Sequence, residues 1–312
     1  MSKHSSMSAG SYSSEIKSVR VLLREVQDLY LAWSRNIEEQ VRYSVNDFHL
    51  IEKRVAERCG IQLHDKDVLE IGPGQNCSHL ICWALSNRAV GIDRDILARG
   101  WRPGQYLRML RSNGPLRAGK TMTRKLLGLD RKHTSELKRQ LGITRLPKFR
   151  ILQMDMTRMT FEPSSFDFVY SRSVLHCLPD PGAALEQVAR VLRPGGVAYI
   201  TLHLYSSDTG HLDTRVYTEK RSEIPLWAHL RPHLHGTINP PNLFLSKLRL
   251  AEWRELFGNK MPGSEFILTR SLTPGVDEAA VSQLQDAGEL REYSPEELLT
   301  GQLVAIWRKP AH

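Results

Sequence analysis

The chain has 312 residues, 41% of them hydrophobic, which is enough for one full α/β domain with additions or for two small domains. No apolar run approaches the ~20 residues that span a bilayer, and the Ser-rich start MSKHSSMSAGSYSS lacks the apolar core of a secretory signal. Four cysteines (Cys59, Cys77, Cys82 and Cys177) with no C-x-x-C pair exclude a disulfide framework, so reduced thiols and a cytoplasmic location are expected.

In chain order, residues 1–14 read as a frayed tail and 15–60 as an N-terminal helical segment. Val21, Leu22, Val26, Leu29 and Tyr30 recur at helical spacing, as do Phe48, Ile51 and Val55, and Gly60 is a natural stop. From residue 61 the rhythm changes to short β-rich runs: VLEI (68–71), AVGI (89–92), RILQM (150–154), FDFVY (166–170) and VAYITL (197–202). EFILTRS (265–271) and QLVAIWR (302–308) are later candidates. Helical stretches such as SHLICWAL (78–85) and PGAALEQVARVL (181–192) lie between them. Apolar strands alternating with helices predict βαβ units around a mostly parallel sheet buried on both faces.

Two stretches interrupt that pattern. Between AVGID and RILQM the connection is far longer than a helical crossover needs. It holds helical fragments (QYLRMLRSN, KTMTRKLLG, HTSELKRQLG) and reads as an inserted helical subdomain over 96–149. It also carries the chain's charge: the whole chain has a net charge of +9, yet residues 94–150 alone contain 16 Lys/Arg against 3 acids, and the remainder is slightly acidic. A solvated cap would explain this, and so would an anionic partner. Trp101, Tyr106, Leu107, Met109, Leu110, Leu126 and Leu127 set apolar residues among the charges, as in surface-binding amphipathic helices. Stacking aromatics, which RNA recognition calls for, are sparse after Tyr106. A membrane surface, with the protein peripheral at the inner membrane face, or an acidic glycan is therefore expected ahead of nucleic acid. The second interruption, 203–262, is rich in His, Pro and Trp and reads as a substrate-covering region.

The stretch DVLEIGPGQN (67–76) carries the chemistry. Its glycines follow a strand and precede a helix, and Asp93 ends the next strand, where an acid can bond ribose hydroxyls. A nucleoside ligand fits. The third glycine of a dinucleotide fingerprint is missing and no G-K-[ST] follows, whereas Glu70 stands two residues before the first glycine. A buried carboxylate there repels phosphate and suits a cation. Ribose, no phosphate and positive charge together describe S-adenosylmethionine.

VLEIGPG, VGID, ILQMDM, FDFVYSRSVLHCLPDP and VARVLRPGGVAYIT, in that order over about residues 60–203, resemble the successive motifs of class I S-adenosylmethionine-dependent methyltransferases of the methyltransferase-11 type. The resemblance implies a Rossmann-like sheet of seven strands. It also implies that the turn formed by Glu70, Gly72, Pro73, Gly74, Gln75 and Asn76 wraps the methionine moiety. By the same resemblance Asp93, followed by Arg94, binds the ribose, Asp155 and Met156 meet the adenine edge, and Ser171 lies beside the methionyl group. Two departures are Pro73, which has no amide to donate, and Asn76 in place of a frequent third glycine.

Methyl transfer needs an aligned acceptor and, for a hydroxyl, a group to remove its proton. His203 and His211, in the polar run after the fifth of the first five strands, are the expected bases, with His176 more in keeping with cofactor support. His229, His233 and His235 have spacing that would allow a metal, but Arg231 among them favours structural or substrate-contacting roles, and no metal is expected. Trp227, Tyr205 and the histidines suit a sugar, and the order HLYSSDTGH … PLWAHLRPH … NLFLSKLRLAEWRELF is weakly similar to bacterial surface-glycan methyltransferases. The expected function is O-methylation of a sugar or glycan-linked substrate. RNA methylation and a non-catalytic cofactor-binding partner protein are the alternatives, and the sequence leaves the oligomeric state open.

Overall fold

The computed structural model describes residues 36–98, 100, 103–241 and 243–311. The tail, the helical pattern over 15–35 and Trp101 lie outside the described residues. Helix α1, Ile37–Cys59, buries Val41, Val45, Phe48, Ile51, Val55 and Cys59 on one stripe. It stops at Gly60, whose φ of 65° places it in the left-handed region and whose N–H bonds to the Ala56 carbonyl.

Strand β1 (Asp67–Ile71), the short α2 (Ser78–Trp83) and β2 (Arg88–Asp93) follow. The chain then forms three consecutive helices, α3 (Pro103–Asn113), α4 (Pro115–Leu126) and α5 (Leu129–Gln140), before β3 (Arg150–Gln153). Beyond come β4 (Phe166–Arg172), α6 (Pro181–Val191) and β5 (Leu192–Leu202). Six short 3-10 turns are described between residues 156 and 237: two flank β4, and four lie within 214–237. Helix α7 (Leu250–Lys260), β6 (Glu265–Arg270), α8 (Glu278–Asp286), α9 (Pro295–Leu299) and β7 (Thr300–Arg308) complete the order.

The seven strands form one sheet in the order β3-β2-β1-β4-β5-β7-β6. The first five are mutually parallel, and β7 runs antiparallel between β5 and β6, pairing for instance Thr201 with Val304 and Ile267 with Val304. The sheet is the seven-stranded, mostly parallel one that the motif order implies. Because strand order reverses between β1 and β4, a crevice opens beyond their carboxyl ends, where open α/β sheets bind ligands.

Side chains alternate between two apolar layers, as the pleat requires. Leu69, Ile71, Val169 and Ile200 face α6 and α7, with Leu185, Val188, Trp253 and Phe257. Val68, Phe168, Tyr170 and Tyr199 face α1 and α2, with Phe48, Ile51 and Trp83. Among the described residues no helix is long and apolar enough to cross a membrane. All four cysteines are free, three of them buried.

Candidate functional site

The turn after β1 is built by close approach. Gly72 has a φ of 71°, and a Cβ on it would stand 2.4 Å from Val174 Cγ2. Its N–H bonds to the Ile92 carbonyl at 2.8 Å, which locks the turn to β2. Pro73, lacking an amide, packs its ring against β2, where a Cβ on Gly91 would stand 3.2 Å from Pro73 Cγ and 2.7 Å from Leu80 Cδ2. Gly74 takes a φ of 62°. Gly72→Ala is expected to destabilise the fold by about 1–3 kcal/mol through both the backbone and the clash, as read by denaturant unfolding. Val174→Ala in the same chain should recover only the part due to the clash.

Glu70 lies at the carboxyl end of β1, 2% exposed, and its Oε2 is buried with no hydrogen-bond partner. Burial pushes its carboxyl up to about 8, against which the nearby Arg172 pulls down. Arg172 is itself held on α1: its guanidinium donates to Asp47 Oδ2 at 3.3 Å and lies over the Tyr43 ring. The same Asp47 oxygen is 3.0 Å from His79 Nε2. Ser171 Oγ, at the end of β4, is a second buried atom with no partner. A carboxyl oxygen and a hydroxyl without partners beside a glycine turn suit a cationic, hydrogen-bonding ligand, because most buried polar groups in folded proteins have a partner.

Asp93 ends β2, with Oδ1 accepting from the Asp95 N–H at 2.9 Å, and burial raises its pKa. Arg94 beside it is exposed. Asp155 caps a 3-10 turn, accepting from the N–H and hydroxyl of Thr157, both at 2.8 Å. The Met156 side chain is in the core, so its backbone alone remains for a ligand. Gln75 donates to the Ala98 carbonyl at 3.3 Å, and Asn76 Oδ1 accepts from Arg124 of α4 at 3.1 Å. The basic helices are thus tied to the turn itself, a connection the sequence did not signal.

The three histidines differ in which ring nitrogen is engaged. His203, just beyond β5, has Nδ1 3.0 Å from the Gly301 carbonyl, which can only accept. The proton is therefore on Nδ1, and Nε2 is the ring's acceptor. Gly301 can stand there because it has no Cβ, which would meet the Ser271 backbone at 3.0 Å. Burial lowers the His203 pKa, so the ring is neutral at pH 7. His176 is buried, its Nδ1 accepts from the His203 N–H at 3.3 Å, and burial takes its pKa down to about 3. His211 is buried too, with Nδ1 accepting from the Asp213 N–H at 3.0 Å. Of the three, His203 alone keeps an acceptor nitrogen unengaged by the fold.

The polar run after β5 is largely consumed in holding itself. Asp208 accepts from Ser271 at 2.7 Å and Arg221 at 3.3 Å. Asp213 accepts from the Arg215 side chain at 2.6 Å and from the Asn239 N–H at 2.7 Å. His229 Nε2 donates to the Tyr205 carbonyl at 2.6 Å, His235 Nε2 to the His229 carbonyl at 2.9 Å, and His233 is exposed beside Glu289. Among the described residues no group of three His, Cys, Asp or Glu could hold a metal. The composition-based idea of Trp227 stacking on a sugar is corrected: the ring is fully buried with Val276 and Leu298, and its Nε1 donates to the Leu298 carbonyl. Tyr205 is only half-buried, with the Lys247 ammonium 5.4 Å from its ring centre.

Residues 97–200, about a third of the chain, match the family model described as a methyltransferase domain. Over that third of its length the chain is similar to a methyltransferase domain. The cofactor that this family implies is S-adenosylmethionine. The matched methyltransferase segment begins beyond β2 and ends within β5, so the glycine turn and Asp93 lie before it. Two uncharacterized chloroplastic methyltransferases of Arabidopsis thaliana are 40% identical over 58 and 60 residues, 19% of this chain in each case. The alignments span 16% and 17% of those proteins. Among solved structures, an S-adenosylmethionine-dependent methyltransferase from Methanosarcina mazei is 16% identical over 80% of this chain and 94% of its own, with a TM-score of 0.40.

Proposed function

We propose that this protein transfers a methyl group from S-adenosylmethionine to a hydroxyl oxygen, with a sugar or glycan-linked compound as the acceptor. The observation that carries the reading is the Glu70 carboxylate, buried beneath the glycine turn with an unpartnered oxygen. When bound, the cofactor supplies a methyl group on a sulfonium centre. Glu70 offsets positive charge, Gly72 to Asn76 enclose the methionine part and Ser171 offers its hydroxyl. Asp93 and Arg94 hold the ribose, while Asp155 and the Met156 backbone meet the base. His203 Nε2 takes the proton of the acceptor hydroxyl, and His176 positions His203 by accepting its backbone N–H. The buried His211 supports this loop. Residues 203–262 cover the acceptor, for which the Tyr205 ring and Lys247 offer a face and a cation.

Calorimetric titration tests the cofactor part. Wild type should give heat with S-adenosylmethionine and with its demethylated product, and Asp93→Ala should bind both about 10–100-fold more weakly, as loss of hydrogen bonds to a charged group does. No heat with either compound, together with a clear signal from a nicotinamide dinucleotide, would overturn the proposal.

A further inference from the structure

Two helices of the basic segment leave large apolar side chains on the surface. In α4 two of the four cationic side chains point inward, Arg124 at 9% and Lys125 at 8% exposed, while Arg117 is exposed. Arg124 bonds Asn76 and pairs with Asp130 at 2.6 Å, and the Lys125 ammonium reaches the Gly100 carbonyl at 3.3 Å. One turn apart on the same helix, Met122 and Leu126 are 44% and 71% exposed. Helix α3 buries Met109 and leaves Leu107 and Leu110 outside, and Leu127 after α4 is exposed as well. These are five of the eleven exposed large hydrophobic side chains among the described residues, all within 107–127. Exposed Arg108, Arg111, Arg131 and Lys132 stand between and beside them.

We propose that this hairpin of α3 and α4 docks on an anionic lipid bilayer surface. Apolar tips interleaved with cations match the interfacial region of such a bilayer, where acyl chains meet anionic headgroups. The local excess of Lys/Arg gives the charge complementarity. RNA is the poorer match, because Tyr106 is half-buried with its hydroxyl bonded to the Gly100 carbonyl and Phe149 packs against the core. The inner side of the hairpin holds Asn76 through Arg124, so docking by its outer side leaves the glycine turn and the crevice uncovered. The inference is independent of the acceptor, since lipid binding is read without turnover.

Co-sedimentation with sucrose-loaded vesicles tests it, using phosphatidylcholine mixed with phosphatidylglycerol and phosphatidylcholine alone. At low salt the wild type should bind the anionic vesicles at least ~10-fold more tightly than the neutral ones, the effect of two or more basic contacts. Met122→Glu with Leu126→Glu should weaken that binding at least ~10-fold while S-adenosylmethionine titration is unchanged. Leu107→Ser with Leu110→Ser serves as a second variant with the same expectation. No association with anionic vesicles at low salt, equal association by both variants, or displacement of vesicles by a lower concentration of homopolymer RNA overturns the proposal.

Discussion

Glu70→Gln is expected to weaken S-adenosylmethionine binding on the order of 100-fold, about 3 kcal/mol, because it removes one member of a buried charge pair. The pH dependence gives the sharper signature. In the free protein the carboxyl titrates near 8, against 4.5 for an ordinary Glu, so it is mostly neutral at pH 7. A cation bound beside it favours the ionised form, so binding releases a proton. Affinity should therefore rise as pH goes from 6 to 8 and level off above, whereas Glu70→Gln should show no such rise. Stability runs the other way. Between about 4.5 and 8 the folded chain holds a proton at Glu70 that the unfolded chain has lost, so this residue's contribution falls as pH rises through that window. Glu70→Gln should accordingly melt higher than wild type at pH 8 while binding less. A variant that bound the cofactor as wild type does would remove the electrostatic basis of the proposed function.

His203→Ala should lower kcat by about 100- to 10,000-fold, the range for loss of a positioned general base, with cofactor affinity unchanged. Because burial lowers the pKa of His203 below its ordinary 6.5, the wild-type rate should be flat through pH 7 and above and fall only on the acid side. His203→Ala should lose that acid limb. His211→Ala is expected to act through loop stability, since its Nδ1 already accepts a backbone N–H. Equal turnover by wild type and His203→Ala would assign the proton to another group or to water.

The strands were legible because each is a short apolar run, buried on both faces in the inner strands β1, β4 and β5, a pattern that needs no tertiary knowledge. The largest boundary difference is at β5, expected from Val197 and found from Leu192. Leu192 pairs with Phe166 across a register shift, and Gly195, with a φ of 78°, lies in between, so no alternation marked the start. Helix α7 hid within the irregular stretch although Leu250, Trp253 and Phe257 have helical spacing. The site divides similarly. Glu70 and the glycine turn are local in sequence and readable. His203 and His211 could not be told apart, because the group fixing the His203 tautomer is the Gly301 carbonyl, 98 residues away. Trp227 looked available by composition and is enclosed by residues from 276 to 299. Arg172, Asp47 and His79 come together from β4, α1 and α2, and nothing in their neighbouring residues announced it.

The placement of β7 has a consequence for synthesis. The last strand in sequence is an inner one: β6 pairs only with it, and it also supplies the carbonyl that orients His203. During translation five parallel strands can assemble while β6 waits without a neighbour and β5 keeps an open edge. Ribosome-bound chains short of residue 300 would thus expose unpaired backbone, the condition under which nascent proteins associate wrongly. The sheet closes, and the imidazole acquires its working orientation, in the same late event.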